Sequence, residues 1–222
     1  MTEDGMILVD KPAGITSFGV VARVRRVLSQ QIGKKAKVGH TGTLDPFATG
    51  LMIIVTGKEC RNAGNYSKLD KEYEATITLG VTSSTGDPEG ELTQVSDKQP
   101  SQAEVEAALL QFTGEITQRP PIYSAIKING RRAYDLARKG EVFEVPERQV
   151  TVFTLELLNY TYPEIRIRVH VSSGTYIRTL AQDIGAVLET GAYCSQLRRT
   201  KVAQYAIEDA QALDILVPQQ PK

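Results

Sequence analysis

GHTGTLDPFATG, residues 39–50, holds three glycines, three threonines, His40 and one carboxylate, Asp45. An Asp followed by Pro is by itself an ordinary turn former, because the acid bonds local backbone and the ring fixes φ. Here the acid stands among glycines that let backbone approach a ligand closely and hydroxyls that can bond one, more than a turn requires. The loop is not a Walker A motif, since no GK[ST] closes it, and TGKEC at 56–60 has a Gly-Lys pair without the preceding glycine spacing. Nucleotide hydrolysis is therefore a weak reading.

Regular elements flank the loop. Before it, Met6 to Val9 reads as a short apolar strand. After DKPAGITS, Thr16 or Ser17 caps a helix whose Phe18, Val21, Val24 and Leu28 recur at three- and four-residue spacing. After it, LMIIVTG (51–57) reads as a buried strand. KEYEATITLG (71–80) reads as a half-buried one, with Tyr73, Ala75, Ile77 and Leu79 alternating against polar residues. SQAEVEAALLQFTG (101–114) is a helix running from a Ser101/Glu104 capping box to Gly114. The segment 119–140 carries two prolines, an Asn129-Gly130 turn signal and several cations, which predicts an exposed excursion with a hairpin and a short helix.

Further on, VTVFTLELLNY (150–160) and EIRIRVHVS (164–172) pair as strands, and Ile165, Ile167, Val169 and Val171 alternate with Arg166, Arg168 and His170. TYIRTLAQDIGAVLE (175–189) is a helix, and SQLRRTKVAQYAI (195–207) is extended. This irregular succession with hairpin-type neighbours predicts an α+β fold with a mixed, largely antiparallel sheet rather than a doubly wound one. With no internal repeat and no long linker, residues 1–222 read as a single domain.

Composition bounds the function. A chain of 222 residues, 41% apolar and 23% charged, is globular and large enough for a proper core. No apolar run approaches the roughly 20 residues that span a bilayer, and the acidic start MTEDGMILVD lacks a signal-peptide pattern. A cytoplasmic protein with no membrane partner is expected. Cys60 and Cys194 lack CxxC spacing, so neither structural zinc nor a disulfide framework is expected, and no metal or cofactor site is read. Basic and acidic residues balance at 26 each, which argues against indiscriminate polyanion binding. Their distribution is uneven. Lys11, Arg23, Arg25, Arg26, Lys34, Lys35 and Lys37 run without an acid among them, and Arg198, Arg199 and Lys201 form a second cluster. Such runs read either as solvated faces or as surfaces that track phosphates.

The block GHTGTLDPFATGLMIIVTGK resembles the signature loop of the TruB family of tRNA pseudouridine synthases. VDKPAGITS (9–17), KEYEATITLGVTSSTGDPEG (71–90), RPPIYSAIKINGRRAYDLARKG (119–140) and VSSGTYIRTLAQDIG with SQLRRTKVAQY are similar to further blocks of that family, in the same order. The resemblance implies the pseudouridine synthase fold with a central catalytic cleft. It also implies isomerisation of uridine to pseudouridine at position 55 in the T loop of tRNA, by a monomer that needs no cofactor. The family's catalytic aspartate falls on Asp45, and its substrate-binding residues fall on His40, Tyr73, Tyr176, Arg178 and Leu197. The insertion at about 119–140 corresponds to an RNA-binding element. Lys11, Arg131, Arg132, Arg198 and Arg199 are the expected contacts to RNA backbone. Longer bacterial members carry an additional C-terminal RNA-binding domain of PUA type, which is not expected here, so selection is expected to rest on the T arm.

The chemistry fits that inventory. The bond from ribose C1′ to N1 must break and C1′ must join C5, with no redox change and no net hydrolysis. One ionised carboxylate serves, as nucleophile or as base at the ribose 2′ position. A guanidinium within about 4–6 Å lowers an Asp pKa by about 1–3 units, and Arg178 is the candidate. Flipping the base out of its stack costs a few kcal/mol, which stacking at about 1–3 kcal/mol per base offsets. His40 and Tyr73 are the stacking groups. Asp87 and Gly90 in GDPEG read equally as a family loop and as a turn. The alternative function is a non-catalytic RNA-binding or tRNA-folding module.

Overall fold

The computed structural model describes residues 2–124, 126–128 and 130–217. Where the sequence reads as one domain, these residues group into two compact units. One holds residues up to Tyr73 and from Arg198 onward, the other Glu74–Leu197.

The first unit begins with β1 (Gly5–Lys11), α1 (Ser17–Ile32), β2 (Val38–His40) and β3 (Thr49–Thr56), then a 3-10 turn (Gly57–Arg61) and α2 (Ala63–Ser67), and enters β4 (Lys71–Leu79). The second carries β5 (Val81–Ser83), β6 (Leu92–Gln94), α3 (Gln102–Leu110), β7 (Gly114–Gln118), β8 (Lys127–Ile128), β9 (Arg131–Arg132) and α4 (Ala133–Arg138). It continues through β10 (Arg148–Thr161), β11 (Glu164–Val171), α5 (Ile177–Val187) and the first part of β12 (Ala192–Val202). The rest of β12, β13 (Tyr205–Ala206), β14 (Gln211–Ala212) and α6 (Leu213–Leu216) complete the first unit.

Within the first unit the strand order is β14-β1-β3-β12, with β2 added to β3 and β13 to β12. β1 and β3 pair antiparallel over their length, from Gly5 opposite Thr56 to Lys11 opposite Gly50. β3 is central. Leu51 to Val55 are at most 1% exposed, and this strand reads as an unbroken apolar run because both of its faces are covered. Leu51, Ile53, Val55 and Val202 form a core cluster against Met6, Leu8, Tyr66, Leu69 and Tyr205. Thr16 caps α1 by accepting the Gly19 N–H at 2.9 Å. The buried stripe of that helix is Val20, Val21, Val24 and Leu28. Phe18, expected on the stripe, is 65% exposed and lies under the Arg25 guanidinium, 5.6 Å from ring centroid to Cζ. Its spacing fits the stripe, but it sits in the first turn, ahead of the buried part.

In the second unit β11, β10 and β7 are antiparallel neighbours. Ile165, Ile167, Val169 and Val171 are buried as their alternation predicts. The Ser101/Glu104 capping box is formed in both directions. Gly114 does not close the helix, as its position suggests, but opens β7 with φ +100°. The excursion contains the expected hairpin, β8 with β9, and the short α4; Asn129 of the expected turn lies outside the described residues. The mixed, largely antiparallel sheet read from the sequence is the one observed. Among the described residues no helix is long and apolar enough to cross a membrane.

Asp183 on α5 is a half-buried carboxylate that desolvation raises from 3.8 to about 6. The native state thus holds a proton that the unfolded chain releases, so stability falls as pH rises from about 4 to about 6 and the penalty is constant above that window. Asp183→Asn is expected to raise the melting temperature at neutral pH by a few degrees, about 1–2 kcal/mol after solvent screening. Scanning calorimetry at pH 7 and below about pH 4 checks this; the gain should vanish at the lower pH.

Candidate active site

Leu44 packs inward, and the backbone of the 42–46 segment is held by hydrogen bonds as well. Ser17, fully buried at the start of α1, bonds Leu44 twice: its hydroxyl accepts the Leu44 N–H and donates to the Leu44 carbonyl, both at 2.8 Å. Lys11 is 0% exposed, and its ammonium donates to the carbonyls of Pro12 (2.9 Å), Ile15 (2.8 Å) and Pro46 (3.2 Å). The Gly14 N–H adds a second bond to the Pro46 carbonyl at 2.8 Å. Arg199, 2% exposed, donates from Nη2 to the Gly42 carbonyl (3.1 Å), from Nη1 to Thr43 (3.4 Å) and from Nε to Leu51 (2.7 Å). Asp45, half-buried, stands between these grips, with its own carbonyl accepting the Ala48 N–H at 3.2 Å.

Two expectations are corrected by these contacts. Lys11 and Arg199 read as RNA-backbone contacts because cationic runs usually face solvent, but both are buried and their donors are turned onto carbonyls. A buried cation must find acceptors, and the loop supplies them. Arg198 is half-exposed and forks onto Asp10, Nη1 at 3.1 Å and Nη2 at 2.8 Å.

His40 ends β2 opposite Ile54 of β3 and is half-buried. Tyr73 is buried on β4 in the same unit. On the strand of Tyr73 a further buried cation, Lys71, donates to the carbonyls of Ser67 (2.7 Å) and Leu69. Desolvation first, and the charge of Arg199 second, push its ammonium down to about 8.

The second unit holds the other expected site residues. Tyr176 caps the start of α5. Its N–H donates to Gln118 Oε1 (3.0 Å) and its carbonyl accepts from Gln118 Nε2 (3.2 Å). The Arg148 guanidinium lies 4.9 Å from the centre of its ring. Arg178 is buried in an ion pair with Asp87, Nη1 to Oδ2 at 2.9 Å, and donates also to the carbonyls of Thr85 and Tyr123, each at 2.9 Å. The other Asp87 oxygen accepts from the Thr85 hydroxyl (2.5 Å) and the Glu89 N–H (3.0 Å). Leu197 is buried on β12. Arg131 and Arg132 are exposed on the hairpin; Arg131 forks onto Glu141 at 2.9 and 2.6 Å, and Arg132 lies over the Tyr134 ring.

Sequence reasoning missed Ser17 as a loop clamp, Gln118 as the clasp of Tyr176, and Asp87 as the partner of Arg178. For Asp87 a signal existed: Thr85, two residues before the acid, supplies a hydroxyl donor of the kind a buried carboxylate needs. Nothing in the sequence marks Gln118.

Residues 25–177 match the model described as TruB family pseudouridylate synthase (N terminal domain), and the chain belongs to that family. Residues 178–218 match the tRNA pseudouridylate synthase B C-terminal domain. The chain is 46% identical over 213 residues to the tRNA pseudouridine synthase B of Burkholderia lata, covering 96% of this chain and 65% of that protein. It is 45% identical to the protein of the same name from Phocaeicola vulgatus, covering 96% of this chain and 91% of that one. Among solved structures it is similar to a chain of a Cbf5-Nop10-Gar1 complex, with TM-score 0.72 and 29% identity over 96% of this chain and 54% of that one. The chain thus spans about two thirds of the Burkholderia lata protein and about half of the solved chain.

Asp87→Ala would leave the buried Arg178 guanidinium without its carboxylate. Breaking such a pair typically costs about 3–5 kcal/mol, and the two carbonyls that remain place the expected loss near ~3 kcal/mol. Urea denaturation of the variant against wild type measures it.

Proposed function

We propose that this chain isomerises uridine to pseudouridine in the T loop of tRNA, at position 55, with Asp45 as the catalytic carboxylate. The observation that carries the reading is a lone acid, half-buried on a glycine- and threonine-rich loop whose backbone is gripped on both sides of it by Ser17, Lys11 and Arg199. A reacting carboxylate needs such fixation, since misplacement by about 1 Å can lower a rate about 10²-fold.

In this reading the Asp45 carboxylate acts at the ribose, attacking C1′ or taking the 2′ proton, as the C1′–N1 bond breaks. The freed uracil turns, C5 joins C1′ as Asp45 leaves C1′ or returns the 2′ proton, and the C5 proton goes to solvent while N1 takes one up. The reaction is an isomerisation, so no redox partner or cofactor enters. Tyr73 packs on the flipped base and His40 enters the T loop in its place. Stacking of this kind returns about 1–3 kcal/mol per base. Tyr176, Arg178 and Leu197 are the further substrate-binding residues, and Arg131, Arg132 and Arg198 contact RNA backbone. The protein acts as a cytoplasmic monomer.

Two outcomes test this. Tritium release from tRNA labelled at uridine C5 is expected for wild type and is expected to fall at least about 10³-fold in Asp45→Asn while RNA binding persists. Equal release by both removes the catalytic role of Asp45, and binding without release by either favours a non-catalytic RNA-binding module. An isolated T-arm hairpin is expected to be modified nearly as fast as whole tRNA. A large preference for whole tRNA in kcat/KM would count against selection by the T arm alone.

A further inference from the structure

We infer that Arg199 is a positioning residue for Asp45, setting the height of the loop through the carbonyls of Gly42 and Thr43. This rests on the functional reading above and goes beyond it by assigning a rate effect to a side chain that the buried geometry keeps from touching RNA.

The residue is bonded at two places to the same loop. Its backbone lies in β12, parallel to β3 with Arg199 opposite Gly50. The two strands are so close there that a Cβ on Gly50 would stand 2.3 Å from the Arg199 carbonyl oxygen and 2.7 Å from its nitrogen; Gly50 also has φ +107°. The guanidinium meanwhile reaches the loop's other end at Gly42 and Thr43, and Leu51 just past Gly50. One residue therefore spans the loop from its entry to its exit, with Asp45 inside the span.

Only a guanidinium suits this. It presents donors in a fixed planar fork that serve three carbonyls lying in different directions, whereas an ammonium is a single point on a flexible stem. Burying such a cation is costly, and where filling space is the only need an apolar side chain is often at least as stabilising. The neighbouring Arg198 underlines the difference: it is half-exposed and bonded to the Asp10 carboxylate.

The test compares full-length Arg199→Lys and Arg199→Met with wild type, with Asp45→Asn as the inactive reference. Measured are melting by circular dichroism, the dissociation constant for a T-arm hairpin, and the single-turnover rate of tritium release at saturating hairpin, well below the melting transition. Expected are folded variants, dissociation constants within about 3-fold of wild type, and single-turnover rates lower by about 10²-fold for Met and about 10-fold for Lys, in proportion to the bonds each keeps. An active wild type with either folded variant at wild-type rate overturns this inference alone, as does failure of both variants to fold, which would make Arg199 structural only. A wild type that releases no label overturns the functional reading and this inference with it.

Discussion

Around Asp45 a loop rich in glycine and threonine, with Leu44 and Ala48 as its buried apolar side chains, has to be kept still. Glycine and threonine let backbone come near a ligand, but by the same property they leave it mobile. The solution here is to anchor carbonyls as well as side chains. Buried Lys11 and Arg199 and the hydroxyl of Ser17 meet the loop at residues 42, 43, 44 and 46, and they do so from β1, α1 and β12. The apolar character of β3 follows from the same need. It leads out of the loop, pairs with β1 and β12, and must itself be immovable for the anchors to have a fixed frame.

Each anchor satisfies two requirements at once. A buried ammonium or guanidinium requires acceptors, and loop carbonyls outside any helix or strand require donors. Pairing the two satisfies both requirements. The second unit meets the same problem differently. Arg178 pairs with Asp87, whose other oxygen accepts from the Thr85 hydroxyl and the Glu89 N–H.

The elements were legible in the sequence wherever periodicity was strong: the alternation in β4 and β11, the capping box of α3, the hairpin and helix of the excursion. Of the candidate site, the loop and Asp45 stood out because their composition exceeds what a turn needs. Misreadings had a common cause. Lys11 and Arg199 belong to basic clusters, and sequence gives charge but not direction, so a cation aimed inward at a carbonyl looks the same as one aimed at solvent. Ser17 was read as a rival to Thr16 for one cap, although the two hydroxyls have separate partners. Long-range bonds such as Gln118 to Tyr176 leave no local pattern at all.

The first unit is discontinuous: the chain leaves it within β4 at Tyr73 and returns only at Arg198. The residue that spans the Asp45 loop is thus among the first to come back. During synthesis the loop, β1 and α1 emerge early, yet they must wait for all of Glu74–Leu197 before β12 can be laid beside β3. Contacts of such sequence separation are slow to form, and a nascent chain short of that strand possesses the acid with its Lys11 and Ser17 anchors but not the Arg199 one. The mounting of the Asp45 loop is in this way completed only when β12 arrives, long after the loop itself has been made.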